Sequence, residues 1–188
     1  CHLNYYHCML NTTRQVMNVC VSGAAGNIAH SFYNSLGSGE VFGNNVEFNL
    51  RLLELPEKMN DLKVLGMELE DCCFQLVRKM SIHCNPDEAF EDLDFAILMG
   101  GASRKPGMER KDLFDCNRRV FEEQGKSLNT YAKKTCKILV VANPANTNCL
   151  IVANNAPSIP KSNFSCLTRL DYNRAVSQVA IKSGSCNN

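Results

Sequence analysis

The sequence predicts an α/β protein built on a doubly wound parallel sheet with helices on both faces. Three observations predict it. Short runs that are apolar throughout, such as Ile138-Leu139-Val140-Val141-Ala142, recur along the chain; strands covered on both faces read this way. Segments with helical spacing lie between these runs. Each informative motif stands where an apolar run ends, and such sheets bind ligands beyond the carboxyl ends of their strands.

The elements follow in order. Residues 1–15 are expected to be a disordered extension. Val16 to Val21 is β-prone and runs straight into Gly23-Ala24-Ala25-Gly26. Ile28 to Leu36 reads as a helix, closed by Gly37-Ser38-Gly39. Phe48 to Leu55 is a second strand, ended by Pro56. Lys58 to Cys72 is a helix with Met59, Leu62, Leu65, Met67 and Leu69 on its apolar face. Val77 to Ile82 is a weaker third strand. Phe95 to Met99 is a buried strand ended by Gly100-Gly101. Glu109 to Ala132 is a long helix, expected to weaken or break near Gly125. Ile138 to Ala142 is the next strand, stopped by Asn143-Pro144. A helix over Thr147 to Asn155, a Pro-rich connection and a last amphipathic helix over Leu170 to Lys182 complete the chain. The nucleotide-binding domain is expected to span 16–160, with 161–188 beginning a second domain.

Composition narrows the function. Lys and Arg number 20 and Asp and Glu 19, for a net charge of +1, so charge gives no reason to expect a nucleic-acid partner. The apolar runs are too short to span a membrane, and the first eighteen residues lack the apolar stretch of a secretory signal. A cytoplasmic, soluble protein is expected. Eleven cysteines are present, but no C-x-x-C pair, so no metal site is expected. Cys20, Cys136, Cys149 and Cys166 sit in apolar runs and read as small core residues of a reducing compartment.

The glycine turn carries the first chemistry. Gly23 permits a tight turn, Gly26 lets the backbone approach a diphosphate, and Asn27 and Ile28 open a helix with unpaired amides and a positive dipole end. The three-glycine fingerprint is incomplete, because Val21 and Ala29 stand at two of its positions. Alone, the turn reads equally well as a plain strand-to-helix connection. Glu54 at the end of the second strand adds a carboxylate where an adenosine ribose would donate its hydroxyls, and it would repel the extra phosphate of NADP. It lies further from the turn than the usual spacing of about 20 residues; the segment Ser38 to Glu47 accounts for the excess. A strand-end glutamate is also an ordinary solvated charge.

Longer motifs then occur together: Ser22-Gly-Ala-Ala-Gly26, Leu52-Leu-Glu-Leu-Pro56, Gly107-Met-Glu-Arg-Lys-Asp-Leu113, Asn143-Pro-Ala-Asn-Thr-Asn148, Ala156-Pro-Ser-Ile-Pro160 and Leu167-Thr-Arg-Leu-Asp-Tyr-Asn-Arg-Ala175. On these the chain resembles the NAD-dependent malate dehydrogenases of the cytosolic and bacterial type, over about residues 16 to 184. The resemblance implies a Rossmann-type fold, NAD as cofactor, malate and oxaloacetate as substrates, and a homodimer. It implies that Arg104 grips the distal substrate carboxylate, Arg110 polarises the reacting carbonyl and Arg174 holds the near carboxylate. Guanidinium groups suit that task, since each clamps a carboxylate with two parallel bonds. It further implies that Asn143 meets both cofactor and substrate, that Val141, Asn117 and Gln124 lie on the cofactor side, and that Asp171 orients a catalytic histidine. On spacing alone, Asp171 and Arg174 are also a plain i,i+3 ion pair, and Asn117 and Gln124 are polar residues on a helix face.

The histidine itself is expected in a Gly-Asn-His segment after the helix of Asp171. The four histidines, His2, His7, His30 and His83, match no such position. The chain is therefore expected to be the first part of a longer enzyme, cut before its catalytic domain and able to bind nucleotide alone. The alternative is a non-catalytic nucleotide-binding or interaction protein. A sibling enzyme acting on lactate fits less well, because a monocarboxylate gives Arg104 nothing to hold.

Overall fold

The computed structural model describes residues 16–102, 107 and 109–186, without the side chains of 110, 112, 113 and 116. The expectations on 1–15 and on Arg104 lie outside the described residues.

Six strands form one parallel sheet: β1 (Met17–Ser22), β2 (Phe48–Leu53), β3 (Val77–His83), β4 (Phe95–Leu98), β5 (Lys137–Val140) and β6 (Phe164–Cys166). The helices are α1 (Asn27–Gly37), α2 (Met59–Asp71), the single turn α3 (Pro86–Ala89), α4 (Arg110–Tyr131), α5 (Ala145–Asn155) and α6 (Arg169–Ser183). The strand order is β3-β2-β1-β4-β5-β6. The chain works outward from β1 to one edge, then returns to β4 beside β1 and works outward to the other. That reversal between β1 and β4 opens a crevice at the carboxyl ends of the two strands. In register, Val21 pairs with Leu52 on β2 and with Ile97 on β4.

Apolar side chains point to both faces of the central strands because both faces are covered. Val19, Val21, Leu50, Leu52 and Ile97 pack with Ala29, Tyr33 and Leu36 of α1 and Leu62 and Leu65 of α2. Cys20, Leu53, Ala96, Leu98, Ile138 and Val140 pack with Phe121 and Leu128 of α4 and Val152 of α5. A β-branched or leucine-rich strand buried in this way gains on the order of 1.5–3 kcal/mol per large side chain. The segment between α1 and β2 folds back on the sheet, with the Phe42 ring edge-on to Phe95 at 5.1 Å and to Phe48 at 6.0 Å.

Three features differ from expectation. First, α4 runs unbroken through Gly125, because that glycine makes room for a neighbour. A Cβ there would lie 2.7 Å from Asn155 Cβ and 3.0 Å from Val152 O on α5. Second, a sixth strand occupies what reads as a Pro-rich connection. Ile138, Leu139 and Val140 pair in parallel with Phe164, Ser165 and Cys166, so the sheet extends past residue 160. Third, α3 follows β3, capped by Asn85, whose Oδ1 accepts from Asp87 N at 3.0 Å. Cys20 and Cys136 are buried, whereas Cys149 and Cys166 are only half-buried.

Candidate functional site

The glycine turn sits over the switch point. Gly23 has φ +67°, and an added Cβ would lie 2.3 Å from Gly100 Cα. Glycine is needed twice over: a side chain would be strained by that φ and would strike the backbone that follows β4. The sequence marks Gly100 only as a strand end; its role as the partner of Gly23 comes from the sheet order. Gly26 N donates to Gly23 O at 3.0 Å, closing the turn, and Gly26 then caps α1 in extended conformation. The first amide bonded within this helix is that of His30, to Gly26 O. The amides of Asn27, Ile28 and Ala29 therefore precede the helical ladder, with no side-chain cap and no acid in the first turn. Such an end attracts an anion. Asn27 and Ile28 are exposed there, and Ala29 is packed beneath. Tyr33 secures the turn from below, its hydroxyl donating to Ala24 O at 2.9 Å in a buried bond.

Glu54 is not a solvated strand-end charge. It is buried to 8% exposure, and its carboxylate is tied to the turn. Oε2 accepts from Ala25 N at 3.1 Å and Oε1 from Leu55 N at 3.0 Å. The backbone holds it too, with Glu54 N donating to His83 O at 3.1 Å and Ala24 N to Leu53 O at 3.2 Å. Each carboxylate oxygen has a further lone pair, so the group can still accept from a ligand hydroxyl while it braces the turn.

On the other side of the switch point, the ends of β4 and β5 are joined by one side chain. Asn117, fully buried on α4, accepts from Ala102 N at 2.7 Å and donates to Asn143 O at 3.2 Å. It fixes the loop after β4 against the loop after β5. Asn148, also fully buried, donates from Nδ2 to Ala142 O at 2.9 Å and holds the second loop onto α5. Val141 N donates to Leu98 O at 2.8 Å, extending the β4–β5 pairing to the rim. Gly101 leaves space for Ala142, whose Cβ would lie 3.3 Å from a Cβ at 101. The buried oxygens Ser22 Oγ, Gln124 Oε1 and Asn148 Oδ1 have no partner among the described residues. Unmet buried acceptors cost about 1–3 kcal/mol each.

The candidate residues thus fall into two groups. Gly23, Gly26, Asn27, Ile28, Glu54, Val141 and Asn143 lie on the loops and strand ends at the carboxyl end of the sheet, while Asn117 and Gln124 are buried on α4. Asp171 and Arg174 lie apart, on α6. Their side chains are 77% and 74% exposed, and Arg174 Nη1 stands 3.7 Å from Asp171 Oδ1. Within the described residues they form a surface ion pair, worth little by itself. Arg110 opens α4, after the undescribed stretch that holds Arg104. Among the described residues, no group of three or more His, Cys, Asp or Glu side chains could hold a metal ion, and no helix is long and apolar enough to cross a membrane.

Comparison with known proteins agrees with this geometry. Cytoplasmic malate dehydrogenase of Gallus gallus is 52% identical over 172 residues, covering 92% of this chain and 52% of that enzyme. The crystal structure of malate dehydrogenase from Naegleria fowleri superposes with a TM-score of 0.86 at 43% identity, over 92% of this chain and 53% of that one. Trichomonas vaginalis lactate dehydrogenase, in complex with NADH and oxamate, superposes with a TM-score of 0.84 at 40% identity, over 92% and 52%. The chain spans about half the length of these relatives. The sequence profile described as lactate/malate dehydrogenase, NAD binding domain, matches residues 17–165, nearly the whole of the sheet. A sheet that reverses at a glycine turn and keeps a carboxylate at the next strand end is what that domain requires, and the chain belongs to the lactate/malate dehydrogenase family.

Proposed function

We propose that this chain is the NAD-binding part of a malate dehydrogenase, an enzyme that interconverts malate and oxaloacetate. One observation carries the cofactor assignment: the Glu54 carboxylate is bonded to the turn that opens α1. An anion site and a hydroxyl acceptor are then held as one rigid unit, matching a diphosphate joined to a ribose. The amides of Asn27 and Ile28 would bind the diphosphate, with Gly23 and Gly26 keeping side chains out of its way. Glu54 would accept from the ribose hydroxyls and repel a 2′-phosphate. Bound NAD supplies the hydride acceptor. Val141 and Asn143 would line the nicotinamide end. Asn117 would act by positioning, since its amide joins the two loops there. Gln124, with its unpartnered buried oxygen, supports the cofactor side from one helical face with Asn117.

The substrate residues belong to the same proposal. Arg104 and Arg110 would enter from the loop before α4 and from its first turn, bringing positive charge to a dianion and excluding water as the loop closes. Arg174 would take the carboxylate next to the reacting carbon. Asp171, three residues away, would orient the histidine base that a dehydrogenase needs for the hydroxyl proton. In a closed site these two residues would separate from their surface pairing, each taking a stronger partner. A homodimer in the cytoplasm completes the reading, the location alone being supported by relatives named cytoplasmic.

The substrate is tested at Arg104, in this chain joined to the second half of a relative. Arg104→Gln removes the charge and the guanidinium fork but keeps a polar side chain. A charge-assisted bond contributes about 1.5–3 kcal/mol. The kcat/KM for oxaloacetate should therefore fall roughly ten- to a hundredfold, while that for pyruvate, which lacks the distal carboxylate, stays level or rises. An equal fall for both acids would refute the assignment.

A further inference from the structure

A second set of chemically matched side chains lies on the edge strand β3, next to the strand end that carries Glu54. Ser81 and His83 are two apart on β3 and so share a face. Ser81 Oγ stands 2.8 Å from His83 Nε2. On the opposite side of the imidazole, Glu88 Oε2 lies 3.8 Å from His83 Nδ1. The placement has local causes. The Asn85 cap and Pro86 start α3 directly after the strand, which turns Glu88 back toward His83. Arg51, the β2 partner of Ser81 in register, donates to Ala89 O and to Glu91 O and clamps α3 against the sheet.

We propose that Ser81, His83 and Glu88 form a Ser–His–carboxylate group that hydrolyses small carboxylic esters, an activity separate from the dehydrogenase reaction. With the imidazole proton on Nδ1, toward Glu88, Nε2 is free to accept from the Ser81 hydroxyl, the orientation a nucleophile–base pair needs. Oγ attacks the ester carbonyl carbon as its proton passes to Nε2. The tetrahedral oxyanion collapses, the C–O bond to the alcohol breaks, and Nε2–H protonates the leaving alkoxide. Water then attacks the acyl-serine, giving its proton to Nε2, and the carboxylic acid leaves as Oγ regains a proton. One water is consumed for each ester, and no oxidant or reductant is needed.

The surroundings suit the developing charge. His83 O accepts from Glu54 N of the chain after β2, so the backbone of His83 faces β2, and Ile82, the residue after the nucleophile, turns its N–H the other way. Among the described residues that direction is the open edge of the sheet, since β3 ends the strand order. Burial first, and then the positive charges of Arg51 and Lys79, hold the His83 pKa below its ordinary value, against the opposing pull of Glu88. The imidazole is thus neutral at pH 7, with a ring nitrogen able to accept a proton. The His83 side chain is only 18% exposed, which favours small esters.

The test uses the full chain, with exposed thiols alkylated first, because Cys84 is exposed beside His83 and thiols attack the same esters. A biotin-tagged fluorophosphonate and p-nitrophenyl acetate are the probes, with labelled peptides identified by mass spectrometry. The expected result is a label on Ser81. Hydrolysis should fall about a hundredfold or more in Ser81→Ala and His83→Gln, the usual contribution of a positioned base. The wild-type rate should be level above the ordinary histidine pKa and decline in acid as Nε2 gains a proton. Labelling of the wild-type chain elsewhere or not at all overturns the proposal, whether or not the variants fold. So does hydrolysis that survives in a Ser81→Ala chain with an unchanged melting curve.

Discussion

Gly23 shows how much one absent methyl group can control. Its left-handed φ would cost another residue about 1–2 kcal/mol, and a Cβ 2.3 Å from Gly100 Cα meets backbone that cannot turn aside. Overpacking of this kind adds about 1–3 kcal/mol. Gly23→Ala should therefore lose about 2–5 kcal/mol, a large share of the roughly 5–15 kcal/mol that holds a domain folded, together with NADH binding. Denaturant unfolding and fluorescence titration check this; a variant as stable as wild type would show that the turn and Gly100 do not press together. The need for Gly23 was legible from its place after an apolar run. The burial of Glu54 was not, because sequence shows a charge at a strand end but not that the backbone amides of Ala25 and Leu55 reach it. Asn117 was legible only through the family resemblance. Its function as a tie between Ala102 and Asn143 depends on β4 and β5 being neighbours, a fact no local window contains.

Among the elements, the strands of the sheet centre were easiest to read, since residues buried on both faces leave continuous apolar runs. The edges were harder. β3 carries exposed Arg78 and Lys79, and Arg78 is held outside by Glu47 at 2.7 Å. β6 has only three residues and follows two prolines, so it lacks both the length and the pattern of a strand. Helix α4 illustrates two competing effects at Gly125. Glycine in a helix costs about 1 kcal/mol relative to alanine, which suggested a break. Close contact with α5 outweighs that cost, because a Cβ would stand 2.7 Å from Asn155 Cβ. Gly125→Ala is a direct comparison of the two: propensity gains about 1 kcal/mol, and overpacking loses about 1–3. The expected result is a net loss of up to about 2 kcal/mol, seen as a fall in Tm of up to roughly 8 °C. A rise in Tm would mean that α4 and α5 have room to spare.

For the molecule as a whole, the crevice at the switch point brings together groups far apart in sequence, while Asp171 and Arg174 lie on a separate helix. Asp171 and Arg174 are exposed on α6, where only Ala180 is buried and Leu170, Tyr172, Val179 and Ile181 are 57% to 70% exposed. Nothing among the described residues covers that helix. His30 lies on α1 and His83 on β3, so neither sits on the element of Asp171. Among the described residues no histidine stands beside Asp171, so the 188-residue chain should oxidise malate only at background, since loss of such a base removes about 10²–10⁴ in rate. A coupled absorbance assay, on protein shown free of host enzyme, checks this. A rate within tenfold of an intact relative would mean that another group takes the proton.

In the proposed function, a rigid unit of glycine turn, α1 amides and Glu54 selects NAD(H). Equilibrium titration of the chain with NADH and with NADPH, followed by nucleotide fluorescence, tests it most directly, with Glu54→Gln run beside the wild type. A 2′-phosphate against a buried carboxylate brings two negative charges together where water screens them poorly. Wild type should bind NADH at least about tenfold more tightly than NADPH, and Glu54→Gln should narrow the gap by weakening NADH and strengthening NADPH. Equal binding of the two nucleotides by wild type, or a preference for NADPH, would contradict it.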